Sequence, residues 1–107
     1  MKLYTTPVLR VKLDIPVSHV ASIKFLFKQE QDPNAKTLLL KEYPGEVTYE
    51  RGCFNVPVTQ AETALFAPDE NFYMDTLVTD QAGHVPRTDI CKLFMHGSMF
   101  SYEEAVT

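Results

Sequence analysis

The chain has 107 residues, a length that fits a single domain over 1–107. A hydrophobic share of 45%, with seven Phe and five Tyr, supplies a core and excludes a disordered chain. A net charge of −4, with no two Lys or Arg adjacent, gives no purchase on a phosphate backbone, so nucleic acid is not the expected partner.

The N-terminal stretch "MKLYTTPVLRVKLDIPV" is broken by Arg10, Lys12 and Asp14. It predicts neither a signal peptide nor a membrane span, so no membrane partner is expected. Two cysteines, Cys53 and Cys91, are too few for a disulfide framework and fit a reducing, cytoplasmic setting.

In chain order, Leu9, Val11, Leu13 and Ile15 alternate with Arg10, Lys12 and Asp14, the period-two signature of a half-buried strand ended by Pro16. "ASIKFLFKQ" is the second strand, with Ile23, Phe25 and Phe27 on one face. Asp32-Pro33-Asn34 forms a turn, and "TLLLKEY" is the third strand, closed by Pro44-Gly45. "EVTYE" pairs Val47 with Tyr49, and Arg51-Gly52 reads as a tight reversal. "CFNVPV" sets Phe54, Val56 and Val58 inward, with Pro57 on the opposite parity as on an edge or at a bulge.

At "TQAETALF" the period changes. Thr59 and Glu62 have capping-box spacing and predict one short helical turn near residues 60–66, cut off by Pro68. "NFYMDTLVT" restores the alternation, with Phe72, Met74, Thr76 and Val78 inward. Asp80 and Gly83 turn the chain, and "DICKLFMH" is the last strand. Seven short strands separated by turn residues predict an all-β fold, an antiparallel seven-stranded immunoglobulin-like sandwich, with a small barrel as the alternative packing.

The span from Thr79 to His96 holds two histidines, a cysteine and two aspartates, the residue types of a metal or catalytic centre. Its spacing argues otherwise. Zinc needs three or four ligands converging on one point. His84 falls in a turn and His96 at the far end of the next strand, tens of ångströms away at about 3.3 Å per residue. Cys91 has the opposite parity to His96 and is expected in the core beside Leu93 and Met95, with Cys53 facing outward; that placement argues against a disulfide between them. Asp75, Asp80 and Asp89 are not placed to share one dry pocket, and the four glycines are isolated, so no phosphate loop exists. No catalytic residue, metal or cofactor is therefore expected.

One pattern departs from an ordinary sandwich. On the sixth and seventh strands the outward parity carries Tyr73, Leu77, Ile90 and Phe94, an apolar stripe on the face that should meet water, with Leu39 a possible extension. Such a patch marks a protein-binding surface unless the loop after Pro57 or the C-terminal tail folds over it. The tail adds Met99 and Phe100, with Tyr102, as an apolar end that either packs on its own domain or docks into a neighbour, and that would suit donation to an adjacent subunit. Ser101 and Glu104 have capping-box spacing, but too few residues follow for a stable helix.

"FAPDENFYMDTLVTD" has the look of the corner leading into the sixth strand of an immunoglobulin-like domain, although position 75 is Asp, not Cys, and the chain has no Trp. The segments "ASIKFLFKQ", "GCFNVPVTQAETALF" and "VPRTDICKLFMHGSMF" resemble small phage and prophage virion proteins. In the middle one, Gly52, Phe54, Val56 and Thr59 are similar to a run found in immunoglobulin-like tail and baseplate domains, with Val58 where Leu is usual. The resemblance implies a non-enzymatic structural or adaptor protein that binds protein subunits by self-association or within a virion, located in a bacterial host's cytoplasm or in the virion. The alternative is a carbohydrate-binding sandwich using Tyr43, Tyr49 and Tyr73, although these fall on different strands.

Overall fold

The computed structural model describes residues 1–107 and contains seven strands in two antiparallel sheets. The strands are β1 (Val8–Val11), β2 (Val20–Lys28), β3 (Thr37–Tyr43), β4 (Thr48–Glu50), β5 (Cys53–Pro57), β6 (Glu70–Asp80) and β7 (Cys91–Met95). One sheet has the order β1-β5-β4 and the other β3-β2-β6-β7.

The two sheets bury their inward parity against each other. Ile23, Phe25 and Phe27 of β2, Phe72, Met74 and Val78 of β6, and Met95 of β7 meet Phe54 and Val56 of β5 in one core. Phe25 reaches Phe54 across the gap at a ring separation of 6.4 Å. Phe66 closes one end, 4.6 Å from Phe72 and 6.2 Å from Phe27. Each fully buried Phe contributes roughly 1.5–3 kcal/mol by leaving water. These residues are the inward sets read from the alternation, so the sandwich follows from side-chain period.

The strand order differs from the constant-type immunoglobulin arrangement, in which the second strand lies between the first and fifth. Here β2 pairs with β3 and β6 instead. The chain crosses from one sheet to the other between β1 and β2, which is why the first strand stops at Val11, short of the Ile15 expected from the alternation. Leu13 and Ile15 keep their parity and pack, half-buried, against the core from the crossover.

The turns match their residues. Arg51 and Gly52, at φ of 53° and 80°, link Glu50 to the opposing Cys53. Left-handed φ at both central residues is what a two-residue hairpin with the sheet's own twist requires. Asp32 Oδ1 accepts the Asn34 N–H at 2.9 Å, and Asp80 Oδ1 accepts the N–H groups of Ala82 and His84 at 2.9 and 2.8 Å.

The capping box predicted at Thr59 forms. The Thr59 hydroxyl accepts the Glu62 N–H and the Glu62 carboxylate accepts the Thr59 N–H, starting α1 (Gln60–Thr63).

The tail corrects an expectation. A five-residue helix, α2 (Tyr102–Val106), does form, with a complete capping box between Ser101 and Glu104. Tertiary contacts supply what its length lacks. The Tyr102 ring packs edge-on to Tyr4 at 5.6 Å, and Gln60 Nε2 donates to the carbonyls of both Tyr4 and Ala105. The helix thus docks on its own domain, one of the two placements open to the tail, while Met99 and Phe100 ahead of it stay exposed.

The N-terminal segment covers part of one sheet edge. Lys2 bridges His96 in parallel, with Leu3 N–H donating to the His96 carbonyl at 2.9 Å and His96 N–H to the Met1 carbonyl at 2.8 Å. This covers the edge just past β7, and the Met1 ammonium donates to the Phe94 carbonyl of the strand itself at 3.0 Å.

Candidate interaction surface

Strand register fixes the outer face of the four-stranded sheet. Lys24 lies between Glu42 and Leu77, Leu26 between Leu40 and Asp75, and Lys28 next to Tyr73, which in turn faces Lys92; Asn71 faces Phe94. Leu77, Ile90 and Phe94 are 52%, 47% and 38% exposed, and Tyr73 is half-buried. Neither α1 nor the tail covers them.

The stripe is broader than the sequence suggested, and its extension is a different residue. Leu39 points inward, opposite Phe27, and packs on the core. Its neighbour Leu40 is the exposed residue, opposite Leu26. Because β3 lies on the far side of β2, exposed or half-buried apolar side chains occur on every strand of the sheet, at Leu40, Leu26, Tyr73, Leu77 and Phe94, with Ile90 just before β7. Between Leu26, Tyr73 and Ile90 the face dips into a groove of about 470 Å³, walled on one side by the loop at Glu30–Pro33. Lys28 props that loop by donating to the carbonyls of Asp32 and Pro33. Charges are interspersed with the apolar side chains: Lys24 separates Glu42 from Leu77, Asp75 faces Leu26 within the groove, and Lys92 stands between Ile90 and Phe94 along the chain.

Met99 and Phe100 are exposed, Met99 completely so. Phe100 sits in a hollow with Leu3, Tyr4 and Ala105, none of which belongs to the stripe. The structure therefore brings Tyr73, Leu77, Ile90 and Phe94 onto one face and leaves Met99 and Phe100 at the end of the domain where α2 meets the N-terminal segment.

The reactive residue types of the last hairpin stay apart. His84 is a solvated turn residue, its Nδ1 3.6 Å from Asp80 Oδ2, while Asp80 is engaged with the turn's backbone. His96 packs against the Phe94 ring at 4.8 Å. No three His, Cys, Asp or Glu side chains lie close enough to share a metal ion.

Both cysteines are free thiols, but their placement corrects the reading of the core. Cys91 has the inward parity yet is exposed, whereas Cys53 is half-buried. Burial along β7 rises from Cys91 through Leu93 to Met95, so nothing packs over the strand's start. Parity decides which way a side chain points; the extent of the opposing sheet decides whether it is covered.

The tyrosines do not form one platform. Tyr43 and Tyr49 both lie against Phe54, at 5.0 and 4.8 Å, while Tyr73 is on the outer face of the four-stranded sheet.

Sequence reasoning missed one buried polar cluster. Lys41 of β3 is 4% exposed, and its ammonium lies 2.8 Å from Glu62 and 3.4 Å from Glu46. Burial by itself raises the Glu62 carboxyl, but the hydrogen bonds from Lys41 and Thr59 and the nearby ammonium outweigh it and hold the group below its ordinary 4.5. The signal was present: Lys41 shares the parity of Leu39 and Tyr43, and an inward Lys demands a carboxylate partner.

No protein-family model matches the chain, and no curated protein is detectably similar to it in sequence. No helix is long and apolar enough to cross a membrane.

Proposed function

We propose that this chain is a non-enzymatic structural or adaptor domain that works through protein–protein contacts, as a component of a phage or prophage virion. The contact reading is supported by one observation: the outer face of β3-β2-β6-β7 exposes Leu40, Leu77, Ile90 and Phe94, large apolar side chains that no part of the chain covers. Leaving such a band in water is unfavourable, and a second protein surface removes it. Lys24, Lys28 and Lys92 together with Glu42 and Asp75 give the face both signs of charge, which suits a copy of the same face as well as another subunit. The virion part rests on the likeness of three sequence segments alone, and it places the protein in a bacterial host's cytoplasm before assembly and in the particle afterwards.

Concentration-dependent amide shifts of isotope-labelled protein test the contact reading. Shifts confined to residues 73–77 and 90–94 and their neighbours on β2 support it; shifts confined to the β1-β5-β4 sheet would remove it. Mass spectrometry of purified particles from an induced host tests the virion part, and a particle lacking the chain would contradict that part.

A further inference from the structure

The fold brings together two arginines that are far apart in sequence. Arg10 of β1 and Arg51 of the β4–β5 turn both line a groove of about 410 Å³ on the outer face of the other sheet. The chain has three arginines in all, and these are the two without a carboxylate partner within 4.0 Å. The third, Arg87, lies 3.8 Å from Asp89. Register builds the floor between them. Arg10 is directly opposite Asn55, and Asn55 opposite Thr48, so guanidinium, amide and hydroxyl form one cross-strand row. Glu50 is the single carboxylate in the lining, which leaves the groove net positive on a chain that is net negative. The face is opposite to the apolar band, so it serves a different contact.

We propose that this groove binds a carboxylate-bearing peptide segment. Arginine presents a rigid planar fork that matches a carboxylate with two parallel hydrogen bonds, which the point charge of lysine does not. The amide of Asn55 and the hydroxyl of Thr48 complete a donor set for a second carboxylate oxygen or a backbone carbonyl. A peptide is favoured over a free anion because the lining crosses all three strands, from Val8 and Arg10 of β1 through Cys53 and Asn55 of β5 to Thr48 and Glu50 of β4, about 9–10 Å and farther than one small anion reaches. No aromatic ring lines the groove, so it offers no stacking platform for a sugar.

The test is titration of the full chain with a fluorescein-labelled octapeptide of alternating Glu and Ser, read by anisotropy and by amide shifts. The expected result is saturable binding at about 50 mM salt, weaker at about 500 mM, as screening shortens the reach of exposed charges. Shifts are expected at Val8, Arg10, Thr48, Arg51 and Asn55. Arg10→Gln combined with Arg51→Asn is expected to weaken binding by about tenfold or more. Both positions are exposed, and Asn retains the left-handed backbone that Arg51 adopts, so the variant keeps its fold and its thermal midpoint. Absent binding, equal binding of a Lys-Ser octapeptide, or an unaffected double variant overturns the proposal. Inorganic phosphate occupying the groove as tightly as the peptide also overturns it, because the site would then recognise a bare anion.

Discussion

The ammonium of Lys41 lies 2.8 Å from the Glu62 carboxylate, a pair that ties edge strand β3 to the helix that follows β5 and so clasps the two sheets. Its two halves are not equally dispensable. Lys41 is almost fully buried, whereas Glu62 keeps about a fifth of its side chain in water. Removing Glu62 strands a buried cation with only Glu46 at 3.4 Å and also dismantles the capping box. Removing Lys41 leaves a carboxylate that water and the Thr59 N–H still satisfy. Glu62→Ala is therefore expected to cost about 2–3 kcal/mol and Lys41→Met about 1 kcal/mol or less in urea unfolding. The reverse ranking would show that the clasp does not work this way.

The same pair sets a pH dependence. With its folded value held below the 4.5 of the free group, the Glu62 carboxyl binds fewer protons in the folded state than in the unfolded one. Its contribution is complete above 4.5 and is lost as pH falls through the lower folded value. Urea midpoints are expected to fall across the acid range, and the fall is expected to be shallower in Glu62→Gln. An identical slope in the two proteins would contradict the assignment.

Adjacent residues of β6 offer a sharp test of the alternation. Phe72 is fully buried between Phe27 and Phe66, while Tyr73 faces outward. Phe72→Ala is expected to cost about 3–5 kcal/mol by opening a cavity, and Tyr73→Ala about 1 kcal/mol or less. Similar losses at the two positions would mean that the outer face is packed.

The thiols provide an independent check on the sheets' extents. Cys91 is exposed and Cys53 half-buried. In the native protein one thiol is expected to react quickly with an aromatic disulfide reagent, and Cys91→Ser removes that fast phase. A fast phase that survives the substitution would place Cys91 under cover.

The two-residue alternation made the strands, the inward sets and the stripe legible, because side-chain direction is a local property of extended backbone. The Thr59 and Glu62 spacing made α1 legible for the same reason: a cap is closed by residues three apart. What could not be read depends on which elements become neighbours. Nothing local tells β2 to join β3 and β6 and not β1 and β5, and three consecutive leucines in β3 leave its inward parity open until the register against Phe27 turns Leu39 in and Leu40 out. The exposure of Cys91 depends on where an opposing sheet stops. The docking of α2 on Tyr4 and Gln60 depends on two segments more than forty residues away. Lys41 shares the parity of Leu39, so with Leu39 expected outward it reads as an ordinary solvated lysine.

The most direct test of the apolar face as a protein contact is sedimentation velocity on the purified chain over about 5–500 µM, a range that spans weak self-contacts. The mass is expected to rise above 12.2 kDa with concentration, and the combined variant Leu77→Glu and Phe94→Glu, with an unchanged fold, to hold at 12.2 kDa. A wild-type chain that stays at 12.2 kDa throughout, sedimenting identically to the variant, would contradict it.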